Sequence, residues 1–264
     1  MKKVALVIAV ISMITYTSCK NSTSKKETHN SEKHTHWTYE GETSPEHWTE
    51  IEKNSDCGGK RQSPINIIDI YTKPTNQKKN PLNIMYSPKT ELTQVINNGH
   101  SIQFNFETGD SIQYHEATYH LSQIHFHEPS EHTINGVRYP LEIHLVHKSK
   151  TNNFTVMSVL AEEGKESQLF EFLESFLPIK ENKTREIHQS LDLSTLFPEN
   201  NNFYSYDGSL TTPPCTENVN WVIFKEPIIV SVEEVLKLKK NMPKDNYRNE
   251  QPLYDRIVFE NIHE

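Results

Sequence analysis

Cysteine is scarce in this chain, with three in 264 residues, and internal repeats, interdomain linkers and long apolar runs are missing. Without a repeat or a linker, a chain of this length reads most simply as one large domain rather than two small ones. The apolar run Val4 to Ile14, behind Met1-Lys2-Lys3, has about 11 residues, too short for an ordinary spanning helix. It reads as the apolar core of an export signal. The following Thr15-Tyr16-Thr17-Ser18-Cys19 resembles a bacterial lipoprotein cleavage box, in which Cys19 becomes the lipidated first residue. Tyr16 and Thr17 depart from the usual leucine and small apolar residues, so an ordinary signal-peptidase site nearby, with Cys19 discarded, is the alternative.

Apolar residues are absent from Lys20 to Thr35, which predicts a flexible polar tether. The expected organisation is therefore a signal at 1–18, lipidated Cys19 and tether at 19–35, and a folded domain at 36–264. The expected location is the periplasm or cell surface, with a lipid anchor to a membrane. Basic residues are outnumbered: the formal charge is -8, and it becomes -10 once Lys2 and Lys3 leave with residues 1–18. So acidic a protein is a poor partner for nucleic acid. Besides Cys19, only Cys57 and Cys215 then remain, an even pair in a chain sent to an oxidising compartment. That predicts a disulfide, with two unpaired buried thiols as the alternative.

Short alternating or β-branched stretches are present in number. They occur at 65–70, 92–96, 101–106, 111–114, 119–127, 141–148, 154–161, 220–223 and 257–262, separated by Asn, Gly and Pro turns. Helical periodicity is clearest at 166–176 and 232–242, the second opening with a capping-box start, Ser231-Val-Glu-Glu234. The expected class is α+β and sheet-dominated, with few, peripheral helices.

Two of these stretches carry the chemistry. Gln123-Ile-His125-Phe-His127 and Glu142-Ile-His144-Leu-Val-His147 can together offer three imidazoles to one metal ion. Side chains two apart on a strand share a face, so His125 and His127 reach one ion together, and His144 comes from a neighbouring strand. Three protein ligands leave a fourth position for water, whereas structural zinc sites are closed by four ligands, usually including cysteines. Gln123 and Glu142 each lie two residues before a ligand, where they can accept its second ring N–H and fix its tautomer. A lone His-x-His among 14 histidines is a weak sign, and Glu142 read alone is a solvated strand residue; the shared spacing strengthens both.

From about residue 36 to 260 the chain resembles the α-class carbonic anhydrases of the bacterial, exported type. The resemblance rests on Trp37-Thr-Tyr39, Pro45-Glu-His-Trp48, Arg61-Gln-Ser-Pro-Ile-Asn66, Asn97-Asn-Gly-His100, His125-Phe-His127, Ser130-Glu-His-Thr133, Glu142-Ile-His144-Leu-Val-His147, Ser209-Leu-Thr-Thr-Pro-Pro214 and Trp221. It implies a central twisted, mostly antiparallel sheet and reversible hydration of carbon dioxide to bicarbonate and a proton. One Zn2+ per chain would be held by His125, His127 and His144, and the hydroxide formed from its bound water would attack the substrate. Thr211 would take the hydrogen of that hydroxide and pass its own to Glu131, while its N–H would bind the anion of sulfonamide inhibitors. His100 would shuttle protons to buffer, although a histidine after Asn-Asn-Gly reads by itself as a turn residue. Val146, Val156, Leu210, Thr212 and Trp221 would line the carbon dioxide pocket. The Cys57–Cys215 bridge matches a disulfide of exported bacterial members and would brace the loop of Thr211. Implied partners are carbon dioxide and bicarbonate, sulfonamide and anion inhibitors, and a second copy of the chain in a homodimer.

The chain departs from many animal members at Glu128-Pro129-Ser130, where they carry tryptophan, glycine and a longer insertion, and at Gln103, where they often have asparagine. Two rivals remain. His125-x-His127-x3-Glu131 has the spacing of a cupin metal motif, which would make Glu131 a ligand of iron or manganese. The other is an inactive carbonic-anhydrase-like binding module.

Overall fold

Period-two burial builds the sheet. Ile102–Phe106 alternates strictly, with Ile102, Phe104 and Phe106 buried and Gln103 and Asn105 only partly so. In Leu141–Lys148 every residue but the last is buried, and Phe154–Glu163 is buried along most of its length, so these strands are covered on both faces. The coordinates are a computed structural model and describe residues 36–76 and 82–262. The expected signal segment, lipidated Cys19 and tether lie outside the described residues.

Ten strands follow one another across the main sheet in the order Lys183–Leu191, Thr90–Asn97, Ile102–Phe106, Ala117–His127, Leu141–Lys148, Phe154–Glu163, Glu217–Phe224, Phe203–Ser209, Phe259–Ile262 and Lys73–Asn76. Most neighbours are antiparallel. Phe154–Glu163 runs parallel to Glu217–Phe224, and Phe259–Ile262 runs parallel to Lys73–Asn76. One face carries the larger core, where Phe104, Ile124, Phe126, Ile143, Leu145, Met157 and Val159 meet the buried face of the helix Gln168–Glu174. The opposite face carries a smaller cluster with Val146, Val156, Leu160, Tyr206 and Trp221. The expected sheet-dominated α+β class is the one observed.

Helix Val232–Lys239 begins where its sequence says it should. Ser231 Oγ accepts the Glu234 N–H at 3.2 Å and Glu234 Oε2 accepts the Ser231 N–H at 2.7 Å, a complete capping box. Both expected helices are shorter than their periodic stretches, ending at Glu174 and Lys239. The stretch 65–70 pairs only at Asn66–Ile67 and then turns through Asp69–Tyr71, leaving Ile70 and Tyr71 exposed. Lys183–Leu191 escaped the sequence reading because it is an edge strand burying only Ile187 and Leu191, and its charged residues hide the alternation.

Candidate metal centre

Register alone assembles most of the site. Gln103 stands opposite His125, His125 opposite His144, and His144 opposite Ser158, one row across four adjacent strands. Directly paired residues share a face, so this row points the His125 and His144 rings the same way. His127, two residues after His125, shares that face and pairs with Glu142. The next row sets Gln123, Val146, Val156 and Trp221 in line. The histidines and these apolar residues are thus successive rungs of one sheet.

Each histidine has one nitrogen committed to the protein. His125 Nδ1–H donates to Gln123 Oε1 at 2.9 Å, His127 Nδ1–H to the Asn246 carbonyl at 2.6 Å, and His144 Nε2–H to Glu142 Oε1 at 2.8 Å. The remaining nitrogens are Nε2 of His125, Nε2 of His127 and Nδ1 of His144. One ring nitrogen of each lies within 4.8 Å of the others, and the gap between His144 Nδ1 and His125 Nε2 is 3.3 Å. His127 Nε2 is buried and has no hydrogen-bond partner. A buried polar atom left unpaired is costly, and a cation bound by the three nitrogens removes that cost. The donor set therefore fits a metal ion with three imidazole ligands.

Burial sets the protonation of the three rings. It pushes His125 well below the ordinary imidazole value, brings His127 down to about 4 and lowers His144, so each ring is neutral at pH 7. Glu142 is completely buried. Burial alone would favour its acid form, but His132 and His144 outweigh it and hold the carboxyl well below the usual range. Its Oε1 accepts from His144, from His132 Nδ1 at 2.7 Å and from Ser158 Oγ at 2.6 Å, while Oε2 accepts the N–H groups of Glu131 and His132 at 2.7 and 2.8 Å. Gln123 and Glu142 each accept a hydrogen bond from the histidine two residues further on.

Glu131 is buried beside this group, with Oε2 3.5 Å from His127 Nε2 and Oε1 accepting the Arg248 N–H at 2.9 Å. Burial raises its pKa, while His144 and the neighbouring Thr211 side chain draw it down. Oε2 has no partner at hydrogen-bonding geometry, so Thr211 approaches Glu131 without closing a hydrogen bond on that oxygen. Thr211 itself is buried in the turn after Ser209, where the Cys215 N–H donates to the Thr212 carbonyl at 2.8 Å and the Leu210 N–H to the Thr216 carbonyl at 2.9 Å. Cys57 and Cys215 form a disulfide that closes this turn onto the chain before Ser63. Val146, Val156 and Trp221 are buried together with Leu210 packed against them, and the Trp221 ring lies 4.9 Å from that of His144.

His100 lies apart from the ligand cluster, stacked on Trp37 with ring centroids 3.7 Å apart. Its peptide is nonetheless tied to the ligand strand, because Asn246 Nδ2 donates to both the His100 and Phe126 carbonyls at 3.0 Å. Sequence reasoning missed Asn246, Arg248 and the role of His132. His132 sits inside the quoted Ser130-Glu-His-Thr133 motif and was legible there. Asn246 and Arg248 belong to a polar loop whose spacing carries no signal.

Comparison with known proteins agrees with this geometry. Residues 43–262 match the family described as eukaryotic-type carbonic anhydrase. A carbonic anhydrase of Klebsiella pneumoniae is 38% identical over 231 residues, covering 85% of this chain and 91% of that protein. One of Neisseria gonorrhoeae is 38% identical over 230 residues, covering 86% and 88%. Among solved structures, the α-carbonic anhydrase of Thermovibrio ammonificans in complex with sulfanilamide is 39% identical with a TM-score of 0.80, covering 85% of this chain and 98% of that one. The chain belongs to the carbonic anhydrase family. It is an enzyme of the α type, acting in carbon dioxide hydration, and the cupin reading falls away.

Proposed function

We propose that the chain hydrates carbon dioxide reversibly with one zinc ion held by His125, His127 and His144. The convergence of three buried imidazole nitrogens, each ring fixed through its other nitrogen, carries this reading. Zinc bound there supplies a Lewis acid that acidifies a coordinated water. The chain's own residues do the rest. Burial keeps the three rings unprotonated, so protons do not compete for the ligand nitrogens. The Thr211 hydroxyl, with Glu131 as the acceptor of its proton, orients the attacking oxygen. A dication among the histidines opposes the effect of burial on Glu131 and favours the carboxylate that this role requires.

Val146, Val156, Leu210 and Trp221 form an apolar wall beside His144, suited to an uncharged substrate, and Thr212 follows Thr211 in the turn that continues from Leu210. His100 takes protons from the site towards buffer. Sulfonamides are the expected inhibitors, since the Thermovibrio ammonificans α-carbonic anhydrase is solved in complex with the inhibitor sulfanilamide; in this chain the Thr211 N–H is the group that would meet the inhibitor's anion. We propose likewise that the chain is exported and anchored by lipid on Cys19, so that Cys19→Ala should release it into the soluble fraction.

Stopped-flow hydration by the soluble form starting at Lys20, with about one zinc per chain, tests the catalytic reading. Rapid, sulfonamide-sensitive turnover is expected. Zinc-loaded protein with no turnover above buffer would overturn it in favour of a binding module.

A further inference from the structure

His36 and His100 make a contact that the hydration chemistry described above does not use. Their Nε2 atoms are 3.0 Å apart, in hydrogen-bond range, so one ring donates and the other accepts. The geometry is held by aromatic packing rather than by chance exposure. His100 stacks on Trp37 at an interplanar angle of 15°, and Trp37 packs edge-on against Trp48 at 5.0 Å. Trp48 is fully buried, and its Nε1–H donates to the Thr38 and Thr43 carbonyls at 3.0 Å. His36 adjoins Trp37 in sequence, so the clamp that seats His100 also presents His36 to it.

The pair sits between a loop tied to the histidine strand and open solvent. On the inner side, the Asn246 side chain ties the His100 peptide to the strand that carries His125 and His127. On the outer side, His36 is exposed, and both rings line a cavity of about 620 Å3 whose charged groups are Glu40, Glu181, Lys240 and Lys244. Burial and the neighbouring His36 bring the His100 pKa down to about 4. Two imidazoliums in contact repel, so the pair holds one extra proton at a time, and a half-buried His100 is a poor final resting place for it.

We propose that His36 and His100 form a two-histidine relay, in which a proton taken up by His100 crosses the Nε2···Nε2 contact to His36 and leaves from there to buffer in the adjoining cavity. The step balances as follows. His100 gains a proton at Nδ1; its Nε2–H bond breaks as the Nε2–H bond of His36 forms; His36 then gives its Nδ1 proton to a buffer base. Both rings end neutral with their tautomers exchanged, and ring rotation or the reverse hop restores them. The relay rests on the shuttle role of His100 proposed above and adds His36 as its outer member.

The test compares zinc-loaded His36→Ala, His36→Gln and His100→Ala with the parent at low and high imidazole buffer, alongside 15N NMR titration of the metal-free proteins. The relay predicts a several-fold fall in kcat at low buffer for both His36 variants, kcat/KM close to the parent's, and recovery of kcat in imidazole. It also predicts that removing His36 moves the His100 titration upwards. His36→Gln keeps a hydrogen-bonding side chain but cannot carry the proton, so equal loss in both variants separates relay from scaffold. If kcat falls in His100→Ala and not in the His36 variants, the relay is overturned and the shuttle stands. If kcat is unchanged in all three, the shuttle itself fails and the relay fails with it. A loss in His36→Ala that His36→Gln restores also overturns the relay, because it assigns His36 a packing role.

Discussion

Glu142 is the residue on which most of the metal centre leans, since five hydrogen bonds end on its two oxygens and one of them fixes the ring of His144. Glu142→Gln puts an amide where only acceptors are wanted and leaves a donor facing donors. Zinc affinity should fall about 10- to 100-fold, read by competition with a chromophoric chelator. Unchanged affinity would mean that His144 does not depend on this carboxylate for its orientation. Thr211 is the complementary case, because it neither ligates nor supports a ligand. Thr211→Val should leave zinc content near one per chain and lower kcat/KM by about a hundredfold, the scale of removing one oriented polar group from a site that stabilises a developing charge. Metal loss in that variant would instead place Thr211 among the structural supports of the site.

At the scale of elements, the packing of helix Gln168–Glu174 against helix Val232–Lys239 contains its own pH dependence. Glu174 lies in this contact with Oε1 buried and unpartnered, and its Oε2 is 3.4 Å from Lys237 Nζ. Burial raises its carboxyl to about 7; Lys237 opposes the shift and Glu234 adds to it. The folded state thus holds this proton more tightly than the unfolded state, where the ordinary value is 4.5. Its contribution is fully present below about 4.5 and is lost as pH rises through about 7. Glu174→Gln cannot ionise. Its stability relative to the parent should therefore improve between pH 5 and pH 8 by up to a few kcal/mol, measured by urea unfolding at both values. An equal difference at both pH values would show that the carboxyl is paired or hydrated.

Across the whole molecule, the buried histidines work in the other direction. His127 is brought to about 4, His147 to about 3, and His125 and His144 are also lowered, in each case chiefly by burial. The unfolded chain binds these protons near 6.5 and the folded chain does not, so stability is complete above about 6.5 and drains away as pH falls towards 4 and 3. The melting temperature of the metal-free protein should fall steadily from pH 7 to pH 4, and added zinc should protect most strongly at the upper end, where its ligands are deprotonated. A flat profile would mean that the rings are protonated in the fold. The Cys57–Cys215 bridge also acts at this scale, joining residues 158 apart in sequence. Reduction, or Cys57→Ser with Cys215→Ser, should cost about 2–5 kcal/mol and loosen the Thr211 turn, seen as a lower unfolding midpoint and a lower kcat/KM.

What the sequence determined by itself was local. Period-two spacing put His125 and His127 on one face with Gln123 behind them, and Glu142 two residues before His144 already marked its partner. The Ser231 capping box is likewise complete within four residues. These features depend only on strand alternation and helix geometry, which a short stretch of chain carries within itself. The tertiary structure decided the rest. It chose the register that sets His125 opposite His144 and aligns Val146, Val156 and Trp221, and it brought the Asn246 carbonyl to His127 across 119 residues. It also seated Arg248 on Glu131 and laid His36 and His100 together over Trp37. Those contacts join loops and strands remote in sequence, and no local periodicity encodes them; they exist because the two faces of one sheet each bury a core and draw the intervening loops over the rim.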